Sequence, residues 1–249
     1  MSNDLDARWI VPEWPAGPRV RAIITTRFGG VSGGPYATLN LGLTVGDDAG
    51  CVARNRAVVR GFLPAEPVWL RQMHGATVLD AALAASGSEA DAAITRAPRT
   101  VCAVLTADCL PVLVCDREGS VAGVVHAGWR GLAAGILQAV VRKMGVPPQE
   151  VLAYLGPGIG PHVYEVGEEF RQRFAEKDAK MSAAFAPRAN GKFLADLYQI
   201  ARRQLAEAGV GQVYGGGFCT ASEGRFFSFR RDGITGRMAS LIWLEDRER

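Results

Sequence analysis

The chain has 249 residues, 48% of them hydrophobic, and a formal net charge of +3. That is enough length for a substantial core, and the charge is too weak and its arginines too scattered to argue for nucleic acid. The acidic start MSNDLDARW does not resemble a secretion signal, no apolar run approaches the roughly 20 residues of a membrane span, and five cysteines without a C-x-x-C pair argue against a disulfide scaffold. A cytoplasmic protein is the expectation.

No linker-like tract, charge block or repeat divides the sequence, which predicts one domain over residues 1–249, with 1–18 poorly anchored. Residues 20–26 read as a strand running into T-T-R-F-G-G-V-S-G-G, where Arg27 stands beside a flexible glycine loop. L-N-L-G follows with Asn40, and Asp47 and Asp48 are N-cap candidates for a helix over 51–62 that carries Asn55 and Arg56. Residues 68–73 lead as a strand into His74-Gly75, and 76–79 can continue it, whereas 81–97 are small and polar and read as loop with a turn of helix. Three apolar runs come next, 101–105, 110–114 and 121–125. Leu132, Ile136, Val140, Val141 and Met144 then fall at helical spacing and stop at Gly145. A strand over 151–155 ends in G-P-G-I-G-P; helices are expected over 167–174 and 194–208, and strands over 210–214, 226–229 and 239–244. Strands often follow one another without an intervening helix, so a mixed-sheet α+β (mixed α/β) fold is favoured over strict βαβ alternation.

Three chemistry-bearing side chains share one address, the end of an apolar strand: His74 in R-Q-M-H-G, Cys109 in T-A-D-C and His126 in H-A-G-W-R-G. One Cys and two His suffice for a catalytic zinc that keeps its fourth position open. The same atoms could instead serve a nucleophilic Cys109, with His126 or His74 as base and Asp108 as orienter. Each also has an ordinary reading, a half-buried histidine or a small buried thiol, and separations of 35 and 17 positions match no local metal motif. The only other histidine is His162, too few imidazoles for a trinuclear copper cluster with a blue-copper site. No G-x-S-x-G elbow supports a serine hydrolase.

The turn A-G-W-R-G before a helix, with Arg130 adjacent, is either an anion site or a plain strand-to-helix turn. G-P-G-I-G-P has Pro161 where a dinucleotide loop needs its third glycine, so no NAD follows from it, and His162 reads as a surface or supporting residue. F-F-S-F-R-R-D-G-I-T-G-R has the residue types to stack a planar ring and pair a phosphate, or to make an edge strand and a charged hairpin. Cys51, Cys102, Cys115 and Cys219 are taken as structural.

In order along the chain, R-Q-M-H-G, T-A-D-C-L-P-V-L, H-A-G-W-R-G, G-P-G-I-G-P-x-x-Y-E-V-G and F-F-S-F-R-R-D…T-G-R resemble the YfiH/laccase-domain family, also described as polyphenol oxidase, multicopper-oxidase-like or DUF152, from about residue 27 to 243. The resemblance implies a single domain of mixed β-sheets or a β-sandwich flanked by helices. It implies a zinc ion, with copper as the alternative, held by His74, Cys109 and His126. It implies action on purine nucleosides: phosphorolysis of adenosine, inosine and methylthioadenosine to base and ribose 1-phosphate, with adenosine deamination. Arg27, Asn40, Arg56 and Arg130 are then expected around substrate or phosphate, and Asp108 as the carboxylate that moves protons. The partners are purine nucleosides and phosphate, with no nucleic acid, membrane or protein. The alternatives are a Cys109–His126 hydrolase of amide bonds, a polyphenol oxidase-type oxidoreductase, and a non-enzymatic binding protein.

Overall fold

Apolar residues in the central runs are buried on both strand faces, and each face meets a different layer. The computed structural model describes residues 8–246. In chain order the elements are β1 (Val20–Ile24), α1 (Ala49–Arg60), β2 (Val68–Trp69), β3 (Val78–Asp80), β4 (Ala92–Thr95), β5 (Cys102–Thr106), β6 (Leu110–Asp116) and β7 (Ala122–Ala127). Then come α2 (Trp129–Ala134), α3 (Ile136–Met144), β8 (Val151–Leu155), β9 (Glu165–Val166), α4 (Glu168–Ala175), β10 (Phe185–Pro187) and β11 (Phe193–Ala195). The last four are α5 (Leu197–Glu207), β12 (Gln212–Gly215), α6 (Phe229–Asp232) and β13 (Met238–Leu244).

Two sheets lie face to face. One has the order β1-β13-β5-β2, the other β12-β8-β6-β7-β4-β3, and both mix parallel and antiparallel pairs. Strand periodicity sorts the side chains: Val104 and Ile242 share the inter-sheet core with Leu113 and Val124, while Ala103, Leu241 and Trp243 turn to the α1 side with Val59. On the six-stranded sheet Val112, Val114 and Val125 turn outward against Ile136, Val140, Ile200 and Leu205 of α3 and α5. The result is a four-layer stack of helix, sheet, sheet and helices, a mixed α/β fold. Each fully buried Leu, Ile or Val contributes about 1.5–3 kcal/mol, so this core fixes the strand ends on which the reactive residues sit. A small third sheet, β10-β11-β9, packs beside α4. No helix among the described residues is long and apolar enough to cross a membrane.

Several expectations are corrected. The supposed loop over 81–97 contains β4, buried on both faces, because Ala92 and Ala93 are small residues between two layers rather than polar surface residues. Residues 226–229 form no strand: Phe226 and Phe227 are buried in a small core of their own, and Ser228 caps α6 by accepting from the Arg231 N–H at 3.2 Å. The helix expected from 194 begins at Leu197, since Asp196 caps it through the Gln199 N–H and the preceding residues belong to β11. The single helix after residue 131 is two, broken at Gly135, which is left-handed (φ 84°). In the N-terminal segment expected to be poorly anchored, residues 1–7 lie outside the described residues. From Trp9 onward the chain is held: Trp9 is buried against Phe62, and Ile10 exchanges two backbone hydrogen bonds with Ile24.

Candidate active site and metal centre

The antiparallel ladder between β6 and β7 sets Pro111 opposite His126 and Leu110 opposite Ala127. Cys109, one residue before β6, therefore arrives beside the end of β7. Because β5 and β6 belong to different sheets, the T-A-D-C turn crosses between them, with Asp108 left-handed at φ 91°. The G-P-G-I-G-P loop supports this crossing: the N–H of Ile159 donates to the Asp108 carbonyl and that of Gly156 to the Pro111 carbonyl, both at 2.9 Å. His74 stands on the second crossing, from β2 to β3, and is also left-handed, at φ 59°.

The three side chains converge over Gly128. A Cβ there would lie 3.1 Å from Cys109 Sγ, 3.3 Å from His74 Cδ2 and 3.6 Å from His126 Cε1, so glycine keeps this ground clear. One donor atom from each of the three lies within 4.8 Å of the others.

One residue organises the cluster and was missed in the sequence. Asp91, buried just before β4, accepts from His126 Nδ1 at 2.8 Å and from the backbone N–H groups of His74 at 2.8 Å, Gly75 at 2.7 Å and Met73 at 3.2 Å. Its own carbonyl accepts from the His126 N–H at 2.7 Å. The β4–β7 ladder makes the pair neighbours, which no local motif reveals. Asp91, not Asp108, orients the His126 ring. Asp108 is turned away, its two oxygens accepting from the Thr220 hydroxyl and the Arg230 N–H, each at 2.6 Å.

These contacts set the charges. Burial alone would push the Cys109 thiol up, but the His126 charge and hydrogen bonds from both histidines bring it down to about 6. Burial likewise opposes protonation of His126, yet Cys109 and Asp91 hold it up at about 9. Burial raises Asp91, and is outweighed by the His126 and backbone hydrogen bonds that hold its carboxyl below the usual range. Without a metal the cluster is thus a thiolate beside an imidazolium. A soft thiolate and two imidazoles suit a single zinc or copper ion. With Nδ1 of His126 engaged by Asp91, its Nε2 is left for the ion, the carboxylate–histidine arrangement common behind metal ligands.

The cluster opens into a cleft of about 820 Å³. Arg56, Arg130 and Asp108 line it, as do Trp129, Tyr164, Phe229, Arg230 and Arg237. Arg27 and Asn40 do not. Arg27 donates through Nε to the Ala37 carbonyl at 2.8 Å and lies over the Phe227 ring. Asn40 is fully buried, donating to Asp47 at 2.9 Å and accepting from the N–H groups of Gly42 at 2.9 Å and Arg237 at 2.8 Å. Both belong to a knot of backbone contacts around buried Asn55, so tight that a Cβ on Gly30 would come within 2.4 Å of Asn55 Oδ1. His162 is exposed and outside the cleft lining. Of the missed cleft residues, Arg237 had a signal in the T-G-R motif, and Phe229 and Arg230 had one in F-F-S-F-R-R.

Residues 21–245 match the family of multi-copper polyphenol oxidoreductase laccases. The chain belongs to that family. Among its relatives, a purine nucleoside phosphorylase of Pseudomonas aeruginosa is 50% identical over 240 residues, covering 96% of this chain and 99% of that one. The purine nucleoside phosphorylase YfiH of Escherichia coli is 51% identical over 242 residues, with the same coverage. A solved DUF152 structure from Neisseria meningitidis, 49% identical, matches with a TM-score of 0.93 over 96% of this chain and 100% of the other. The five sequence blocks therefore identified a YfiH/DUF152 laccase-like protein correctly. In this family member the His74–Cys109–His126 cluster is the candidate metal site among the described residues.

Proposed function

We propose that this YfiH-family protein is a metal-dependent purine nucleoside phosphorylase that also deaminates adenosine. The observation that carries the reading is the identity of about half, over nearly full length, to relatives bearing the phosphorylase name. The cleft's chemistry agrees with it. In phosphorolysis of adenosine, inosine or methylthioadenosine, a phosphate oxygen bonds to C1′ as the C1′–N9 bond breaks, and the departing base takes up a proton. In deamination, the oxygen of water adds at C6 and ammonia leaves.

The residues fall into roles on this basis. Trp129, Tyr164 and Phe229 offer ring faces for a purine. The cleft arginines, Arg56 and Arg130 among them, offer planar donors for phosphate. His74, Cys109 and His126 would hold zinc, or copper in its place, which when bound supplies Lewis acidity. Asp91 keeps His126 in one tautomer and orientation. Asp108 is the cleft carboxylate closest in sequence to Cys109 and is assigned to proton movement, for which it must release the Thr220 hydroxyl or the Arg230 N–H.

The test is incubation of zinc-loaded protein with adenosine, with and without phosphate, and chromatography of the products. Adenine with ribose 1-phosphate, formed only with phosphate, is expected, together with inosine; both should disappear in His74→Ala. No product, or equal product from the variant, removes the assignment.

A second reading has one observation in its favour. Cys109, His126 and Asp91 stand in nucleophile–base–carboxylate order, which fits a thiol hydrolase of amide bonds. The two readings differ on metal: stripping zinc should abolish phosphorolysis but release a thiol hydrolase.

A further inference from the structure

Two half-buried guanidinium groups in the cleft, Arg56 and Arg237, have no carboxylate partner among the described residues. The other cleft arginines differ. Arg71 pairs with Glu89, while Arg130 and Arg230 are exposed and lie over the rings of Trp129 and Tyr164. Burial disfavours the charge on both Arg56 and Arg237, and at Arg56 only the charge of Glu66 works against this, without an ion pair.

Both are nevertheless tied to one residue, Leu41, through its carbonyl and its N–H. Arg56 donates to the Leu41 carbonyl through Nε at 3.0 Å and Nη2 at 2.9 Å, and lies over the Trp69 ring at 4.2 Å. The Leu41 N–H in turn donates to the Arg237 carbonyl at 3.1 Å. Arg237 donates through Nη1 to the carbonyls of Thr235 at 3.0 Å and Gly236 at 2.9 Å, and its stem passes Gly42 so closely that a Cβ there would meet Cγ at 2.8 Å. Asn40 fixes the arrangement by accepting from the N–H groups of Gly42 and Arg237. This leaves Nη1 of Arg56 and Nε and Nη2 of Arg237 without a protein acceptor among the described residues. The charges of Cys109 and Asp108 reach Arg237 without forming an ion pair.

We propose that Arg56 and Arg237 form a clamp that takes the oxyanion of a phosphate group in the cleft beside the His74–Cys109–His126 cluster. A tetrahedral phosphate has the oxygens to accept from both planar groups, and such charge-assisted bonds are the strong ones. The proposal deepens the phosphorylase reading, in which the clamp holds the attacking orthophosphate, but it stands on the arginines themselves. The phosphate could equally be an ester carried by the substrate, and this determines the arms of the test.

Calorimetric titration of the intact protein, in buffer free of other oxyanions and with no nucleoside present, is run with inorganic phosphate and separately with adenosine 5′-monophosphate. Arg56→Gln and Arg237→Gln should each weaken binding roughly tenfold or more, as loss of hydrogen bonds to a charged group does. Arg142→Gln, exposed on α3, should leave it unchanged. Where a Gln variant fails to fold, Arg→Lys at the same position keeps the charge without the fork and should still weaken binding. Phosphate binding lost in both variants identifies free phosphate as the ligand; loss confined to the nucleotide identifies an ester. Binding of neither ligand to the wild type, or binding unchanged in both variants, overturns the clamp. Clamp-dependent phosphate binding without phosphorolysis of any nucleoside would sink the phosphorylase reading and leave the clamp standing.

Discussion

Asp91 accepts four hydrogen bonds, three from the backbone turn that carries His74 and one from the His126 ring. One carboxylate thus fixes two of the three candidate ligands. An amide in its place offers one accepting oxygen and an NH₂ group aimed at donors. Asp91→Asn is therefore expected to weaken zinc binding about 10–100-fold, the range for loss of such supporting contacts, measured by competition with a chromophoric chelator. Unchanged affinity would assign Asp91 to folding alone. A second expectation concerns pH. In metal-free protein the alkylation rate of Cys109 should climb through a midpoint near 6 and level off by neutral pH, because the histidines depress its pKa to about 6. Burial raises Cys115 to about 12 and pushes Cys102 higher still, so both should stay inert until the chain unfolds. Zinc should protect Cys109; a rate still rising steeply at pH 8 would refute the thiolate. His74, Cys109 and His126 were legible in the sequence because their chemistry is rare there. Asp91 was not, since strand pairing rather than sequence spacing brings it to the site, and Arg237 stood in the T-G-R motif but only loop packing shows that it reaches the cleft.

The two helices behind β7 were read as one because apolar spacing runs through Gly135 without a break. The residue itself held the signal: at φ 84° it ends α2 and starts α3, a turn that glycine adopts without strain. Gly135→Ala should cost about 1–2 kcal/mol through backbone strain, since its Cβ would meet nothing closer than Gln138 Oε1 at 3.4 Å. Urea denaturation measures this, and a neutral result would show that the turn relaxes. The long buried strands were legible from their apolar runs. β4 was not, because both of its faces are buried by small residues and its sequence lacks polar alternation. Residues 226–229 failed for the opposite reason: aromatic content suggests a strand, but Phe226 and Phe227 fill a pocket and Ser228 starts a helix.

At the scale of the molecule, His74 and Cys109 sit on the two crossings from the four-stranded to the six-stranded sheet, β2 to β3 and β5 to β6, while His126 ends β7 of the six-stranded sheet. The candidate ligands therefore come from both crossings and from the sheet that receives them, and Asp91 ties one crossing to that sheet. An ion bound there would staple the two sheets at one end of the sandwich. A ligand that binds only the folded chain at about 100 times its Kd stabilises by about 2.7 kcal/mol. For a chain of this length each kcal/mol shifts Tm by about 2–4 °C, so saturating zinc should raise Tm by roughly 5–10 °C over the metal-free protein. In His74→Ala the gain should shrink to a small fraction, because one ligand is lost and the crossing that carried it is no longer attached to the ion. Differential scanning calorimetry reads both values. A zinc-independent Tm, or the same gain in the variant, would show that the three donors do not act together and that the crossings are held by the core alone.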